Sequence, residues 1–225
     1  MSNIRHDLRA GGAPVSIAKQ VSSYLDSKPA IRECLGQGVI NLSALARKAT
    51  KDLGIDRTDA VLAACRRYRS APRATWREEA VRRVLRRSRL ETRTRIATVI
   101  VRYSYDNLLR LEKVVNDLLS ANRLIRLIPT SQGIVLIVED DTVATVTKAI
   151  SPGNLLKTRK GLVELSVRSP ESIEEVPGVV AFISVSLASE GINMLEVMSC
   201  YTDTILVLEE KDLVQAFRVL KRIME

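Results

Sequence analysis

The sequence predicts an α+β protein: an all-helical N-terminal domain followed by two small modules that each mix helix and strand. Three observations carry that expectation. The segment IVLIVEDD at 134–141 aligns without a gap on ILVLEEKD at 205–212, and the same offset of 71 residues pairs Asn122 with Asn193 and Leu124 with Leu195. Repetition at a fixed period is the mark of repeated structural units. Around Thr94 the apolar period changes from helical to strand-like, through Arg95–Arg102. Charge divides at the same place. Residues 1–95 hold 21 Lys+Arg against 9 Asp+Glu, and residues 96–225 hold 14 against 17, so the net charge of +9 lies entirely in the first part.

The first part reads as helices. Ile17, Val21, Tyr24 and Leu25 recur at helical spacing until Lys28-Pro29, where proline disfavours helix in the residue before it. A short second helix over about 30–35 stops near Gly36 and Gly38. Asn41 suits the N-cap of a third helix whose stripe is Leu42, Leu45, Ala46, Ala49 and Leu53, and Gly54 suits its C-terminal left-handed position. Asp56 is placed to cap a fourth helix carrying Val61, Leu62 and Cys65. Ser70–Arg73 reads as a break. Beyond it Trp76, Ala80, Val81, Val84 and Leu85 form a stripe, with Arg82, Arg83, Arg86 and Arg87 mostly off it. This is the arginine-rich connecting helix.

The remainder reads as two cycles. The first is strand 95–103, helix 107–121, strands 124–129 and 133–138, and helix 141–150. The second is strand 161–168, helix 178–190, strands 193–200 and 204–209, and helix 211–223. The βαββα order is that of a ferredoxin-like layout, and the closing strand of the last module is expected to be missing or borrowed from the other copy. The expected domains are therefore 1–73 (basic, helical), 74–93 (connecting helix), 94–160 (degenerate module) and 161–225 (complete module).

Composition excludes several classes. Apolar residues make up 46% of the chain, with ordinary glycine and proline, as in a globular protein. No apolar run approaches the ~18 residues of a membrane helix, and residues 1–15 lack the apolar core of a signal peptide. Cys34, Cys65 and Cys200 show no metal-ligand spacing and are expected to be buried free thiols of a cytoplasmic protein. Catalysis finds little support. His6 is the single histidine and lies in the N-terminal tail, and there is neither a phosphate loop nor a dinucleotide glycine fingerprint. The acidic runs Glu139–Asp141 and Glu209-Glu210 fall at strand-to-helix junctions and complement helix N-termini. No catalytic residue, metal or cofactor is expected.

Two regions carry chemistry. Around Pro177-Gly178, the missing Cβ lets a ligand approach the backbone, and the first turn of the following helix offers unpaired N–H groups to a negative group. In the basic part, the second and third helices have the proportions of a helix-turn-helix. The third would be the reading helix, with Ser43, Arg47, Lys48 and Lys51 off its apolar stripe, and Arg66 and Arg67 extending the basic footprint. A basic helical bundle that contacts another protein is the competing reading.

The stretch Glu175–Met194, with Pro-Gly at the mouth of a helix and Gly-Ile-Asn before the next strand, resembles the ACT domain, a regulatory module of aspartokinases and other amino-acid-pathway enzymes. The long connection 168–176 is similar to the aspartokinase type. The resemblance covers about 161–225, and 94–160 by repetition only. It implies a tandem pair of ACT modules, a homodimer, and a small amino acid effector held by Val176, Gly178, Val179, Val180 and Asn193, with Val180 and Phe182 as candidate walls. The first copy has Tyr105–Leu108 in place of Pro-Gly and is expected to be structural. The expected function is an amino-acid-responsive transcription regulator that binds double-stranded DNA. The alternative is a stand-alone regulatory subunit of a biosynthetic enzyme.

Overall fold

The computed structural model describes residues 15–70 and 78–225. The expectations for His6, for Ala71–Arg73 and for Trp76 lie outside them. The chain divides into two compact units between Thr75 and Trp76.

The first unit contains α1 (Ile17–Asp26), α2 (Pro29–Gly36), α3 (Leu42–Leu53) and α4 (Thr58–Ser70). Pro29 opens α2, where its missing N–H costs nothing. Asn41 caps α3 by accepting from the Ala44 N–H at 3.0 Å, and Gly54 ends it at φ 64°. α4 starts at Thr58, so Asp56 stands one residue ahead of the capping position. Val21, Leu25, Leu45, Ala46, Val61 and Cys65 fill the core. Two tyrosines tie the helices at its rim: Tyr24 donates to Asp52 at 2.7 Å and Tyr68 to Asp26 at 2.6 Å.

The second unit starts with α5 (Glu78–Arg86) and continues β1 (Arg89–Arg102), α6 (Tyr105–Ser120), β2 (Ile125–Pro129), β3 (Gly133–Glu139) and α7 (Val143–Ala149). The cycle then repeats as β4 (Leu155–Arg168), α8 (Val179–Ala188), β5 (Glu196–Cys200), β6 (Asp203–Glu209) and α9 (Leu213–Met224). All six strands form one antiparallel sheet in the order β2-β3-β1-β4-β6-β5. Each βαββα half keeps its helices on one face. Ala97, Val99, Val101, Leu136 and Val138 meet α6 and α7, while Val163, Leu165, Val167, Leu206 and Leu208 meet α8, α9 and α5. Ile96, Ile137, Leu162 and Val207, pointing the other way, share one cluster drawn from both halves.

The closing strands are borrowed, and reciprocally. β1 and β4 each begin six residues earlier than expected. The early part of β1 pairs with β4 from Arg89↔Arg168 to Arg93↔Glu164, completing the second half. The early part of β4 pairs with the later part of β1, from Thr98↔Arg159 to Val101↔Leu155, completing the first. Both strands bulge where they change partners, and there Arg95 (φ 59°) and Gly161 (φ 67°) occupy matching left-handed positions. The expected helix over 74–93 is corrected accordingly: α5 ends at Arg86, and 89–93 is strand. α5 itself is part of the second unit. It buries Val81, Val84 and Leu85 beside α8 and α9, each worth roughly 1.5–3 kcal/mol of apolar transfer.

The repeat register also shifts by one. Ile96 pairs with Glu139 and Leu162 with Glu209, so Glu139 matches Glu209 rather than Glu210. The helix-facing Leu136 thus matches Leu206; the offset of 71 would set it against Val207, on the opposite face. At the preceding turn the shift is two residues: Asn122 (φ 54°) matches Gly191 (φ 75°), not Asn193. Each follows a helix in the left-handed conformation, and the next N–H bonds back to Leu118 or Leu187. Cys65 alone of the three thiols is buried; Cys34 is half-buried and Cys200 exposed.

Candidate functional site

The two halves differ most where the first helix of each begins. In the first half Ser104 caps α6, accepting from the Asn107 N–H at 3.1 Å. Asn107 is fully buried, donates through Nδ2 to the Arg102 carbonyl at 2.7 Å, and accepts from Asn154. Tyr105 projects into solvent. This helix start satisfies itself.

In the second half the chain leaves β4 through Ser169-Pro170 and a 3₁₀ turn (Glu171–Glu175), and enters α8 at Gly178. Gly178 sits at φ 99° and offers no side chain to cap the helix. A residue with a Cβ pays about 1–2 kcal/mol for that backbone conformation. The Phe182 N–H donates to the Gly178 carbonyl at 2.8 Å, while the first-turn amides before it have no intrahelical acceptor. Val176, Gly178, Val179, Val180 and Ala181 line a surface depression of about 290 Å³, together with Ile173, Glu174, Ser199 and Tyr201. The buried Ile173 anchors the loop in the core, and the Tyr201 hydroxyl donates to Glu171. The Glu171 carboxylate, followed by burial, pushes the Tyr201 phenol up. Glu174 forms no ion pair among the described residues, so the depression has an amide-rich end, an aliphatic wall and one carboxylate.

Of the five residues expected here, the structure brings four together. Val179 turns its side chain into the core, 2% exposed, so only its backbone is available. Asn193 is exposed and lies beyond the C-terminal end of α8, about 15 Å of helix from Gly178. Phe182 is half-buried against the core. Sequence reading missed Ser199 and Tyr201. They reach the site through the β5–β6 hairpin, and only the strand pairing reveals them. Thr204 pairs with Ser199 across that hairpin. It is fully buried, and its hydroxyl has no hydrogen-bond partner among the described residues. The first half has the apolar Ile134 at the matching register.

At the strand-to-helix junctions, the acidic runs engage cations. In the first half Arg123 donates to Asp141 and Glu139; those bonds push its guanidinium up, and the bond from Arg123 keeps the Asp141 carboxyl below its usual range. In the second half Lys211 pairs with Glu209 beside a further depression lined by Arg159, Lys160 and Gly161. Among the described residues no group of three His, Cys, Asp or Glu is arranged to hold a metal ion. No helix there is long and apolar enough to cross a membrane.

In the helical unit, α2 and α3 are joined by the five residues Gln37–Asn41. Ser43, Arg47 and Lys51 are exposed at helical repeats of four along α3 and form one row. Lys48 is engaged instead: its ammonium pairs with Asp52 at 3.3 Å. The Tyr24 hydroxyl, then Lys48, hold the Asp52 carboxyl below its usual range. Arg66 and Arg67 are exposed on α4.

Residues 157–222 match the family model of the ACT domain. The regulatory subunit of aspartate kinase from Thermus thermophilus, in its ligand-free form, is similar in structure, with TM-score 0.50 and 17% identity over 60% of this chain and 96% of that one. Aspartate kinase from Clostridium acetobutylicum is similar at TM-score 0.50 and 11% identity, over 60% of this chain and 34% of that one. At these identities the likeness shows the fold. No curated protein matches this chain in sequence.

Proposed function

We propose that this chain is an amino-acid-responsive regulator. Its second α/β half takes up a small amino acid in the depression at the start of α8, and its helical unit contacts double-stranded DNA. One observation supports the ligand above the rest: the first half caps its own helix with Ser104 and Asn107, while the second leaves the same helix start open through Gly178. A carboxylate suits the open amides and the helix dipole, Glu174 suits an ammonium, and Val176 and Val180 suit a short aliphatic stem. The proposed ligand residues are Val176, Gly178, Val179 and Val180, with Asn193 left out by its place in the fold. The ACT match over the same residues agrees with this reading.

For the helical unit, the row Ser43, Arg47 and Lys51 supports contact with phosphates and a base edge, with Arg66 and Arg67 as flanking cations. A homodimer, with no catalytic role, completes the reading.

The test is fluorescence anisotropy of the protein on its own upstream DNA and on scrambled duplex, at two salt concentrations, with and without amino acids. Each phosphate neutralised contributes a log–log salt slope of about −0.9. Salt-sensitive binding that prefers the upstream DNA and shifts with one amino acid supports the proposal. Charge reversal at Arg47 and Lys51 abolishes it, and Gly178→Val removes the amino-acid response alone. Amino-acid binding without duplex binding sinks the DNA half of the proposal and favours a regulatory subunit, whose partner enzyme would co-purify in fixed ratio.

A further inference from the structure

The helix that leads out of the second unit touches the helix that opens the depression. Arg82 of α5 places its guanidinium 5.0 Å from the centroid of the Phe182 ring on α8. That guanidinium is held in place by Glu78, at 2.8 Å from Nε and 2.7 Å from a terminal nitrogen. Phe182 is also the residue whose N–H closes the first turn of α8 on the Gly178 carbonyl. The apolar side of α5 shares its buried cluster with Ile173 and Val179, both of which line the depression. At its other end Arg86 donates to the C-terminal carbonyl of Glu225 at 2.9 Å, and Ser88 bonds to Ser169 at the root of the site's loop. From there the chain runs directly into the part of β1 that closes the second half-sheet.

From this geometry we infer that α5 is the output element of the amino-acid site, and that Arg82 is the positioning residue that couples it to α8 through Phe182. The inference rests on the ligand reading above and is independent of duplex binding. A carboxylate on the first-turn amides fixes the turn that carries Phe182. A fixed ring is a better seat for Arg82, because the attraction between a cation and an aromatic face depends on their relative placement. The ligand thus favours the docked arrangement of α5 by as much as it tightens that contact, and no more.

Hydrogen exchange of the full-length protein, followed in the 78–86 peptide, tests this with alanine, serine, threonine and valine each added to saturation. The binding amino acid is expected to slow exchange in that peptide by about two- to five-fold, the worth of one exposed cation–aromatic contact. Arg82→Gln should abolish the ligand-linked change and, because the coupling is reciprocal, weaken amino-acid affinity by calorimetry by the same roughly two- to five-fold; Arg82→Lys, which keeps the cation, should restore part of both. A helix that merely packs there would show the same ligand-linked change in all three proteins, and that result overturns the coupling. So does wild-type exchange that is unmoved at saturation. If none of the four amino acids binds by calorimetry, the ligand reading itself fails and the coupling falls with it.

Discussion

Replacing Thr204 by valine should stabilise the second unit. Thr204 is 0% exposed on the helix-facing side of β6, its hydroxyl finds no partner among the described residues, and Ile134 fills the matching position in the first half. A buried hydroxyl left without a hydrogen bond costs about 1–3 kcal/mol. Valine keeps the β-branched shape, so strand preference and rotamer are unchanged. The expected gain is therefore about 1–2 kcal/mol, allowing for imperfect fit of the added methyl in a close-packed core. For a unit of this size that moves the melting temperature up by about 2–4 °C per kcal/mol. Calorimetry on the full chain reads it directly, with Ile134→Thr as the converse change, expected to destabilise. A melting temperature lowered by Thr204→Val would refute the reasoning, because it would mean that the hydroxyl is satisfied in solution. Ser199 lines the depression directly across the hairpin, so the same variant also reports whether that hydroxyl matters to amino-acid affinity.

At the matched bulges, Arg95→Gly should raise stability by up to about 1 kcal/mol and Gly161→Ala should lower it by about 1–2 kcal/mol, read as shifts in urea midpoint, since only glycine takes a left-handed backbone without a Cβ penalty. Glu164, 1% exposed, accepts both Arg126 contacts at 2.9 Å. Glu164 keeps Ser166 at 3.2 Å and Arg93 at 3.9 Å when Arg126 is removed, so Arg126→Met should cost less than the ~3–5 kcal/mol of a buried charge left wholly unpaired, and adding Glu164→Leu should recover most of it; equal loss in single and double variants would deny the pairing. Burial, followed by the bond to Asp52, pushes the Tyr24 phenol up to about 12 from 10.0. A group whose folded pKa is raised contributes stability that is complete below its unfolded value and lost as pH rises through the folded one. Helical-unit stability should therefore fall between about pH 10 and 12, and Tyr24→Phe should flatten that window in denaturant titrations at stepped pH.

How much was legible in the sequence depends on where each residue points. The helices of the first unit announced themselves because their cores require apolar residues at helical spacing, and Asn41 and Gly54 mark the ends of α3 by chemistry that acts within one turn. Gly178 was legible as a helix start without a Cβ, and the structure added that its backbone is left-handed, at φ 99°. The strand starts at 89–94 and 155–160 were not legible. Their side chains are almost all exposed, and what holds them is main-chain hydrogen bonding, which any residue but proline provides.

By itself, then, the sequence determined the βαββα order, the basic helical half and the open helix start, because each is written in local periodicity or in a single residue's conformational range. The tertiary structure decided the rest. It lends each half-sheet the first segment of the other's opening strand, sets the repeat one residue from its sequence alignment, brings Ser199 and Tyr201 to Gly178, and carries Asn193 away. Those outcomes depend on which strand pairs with which and on which face each side chain takes, and pairing between distant segments leaves no periodic trace in either one.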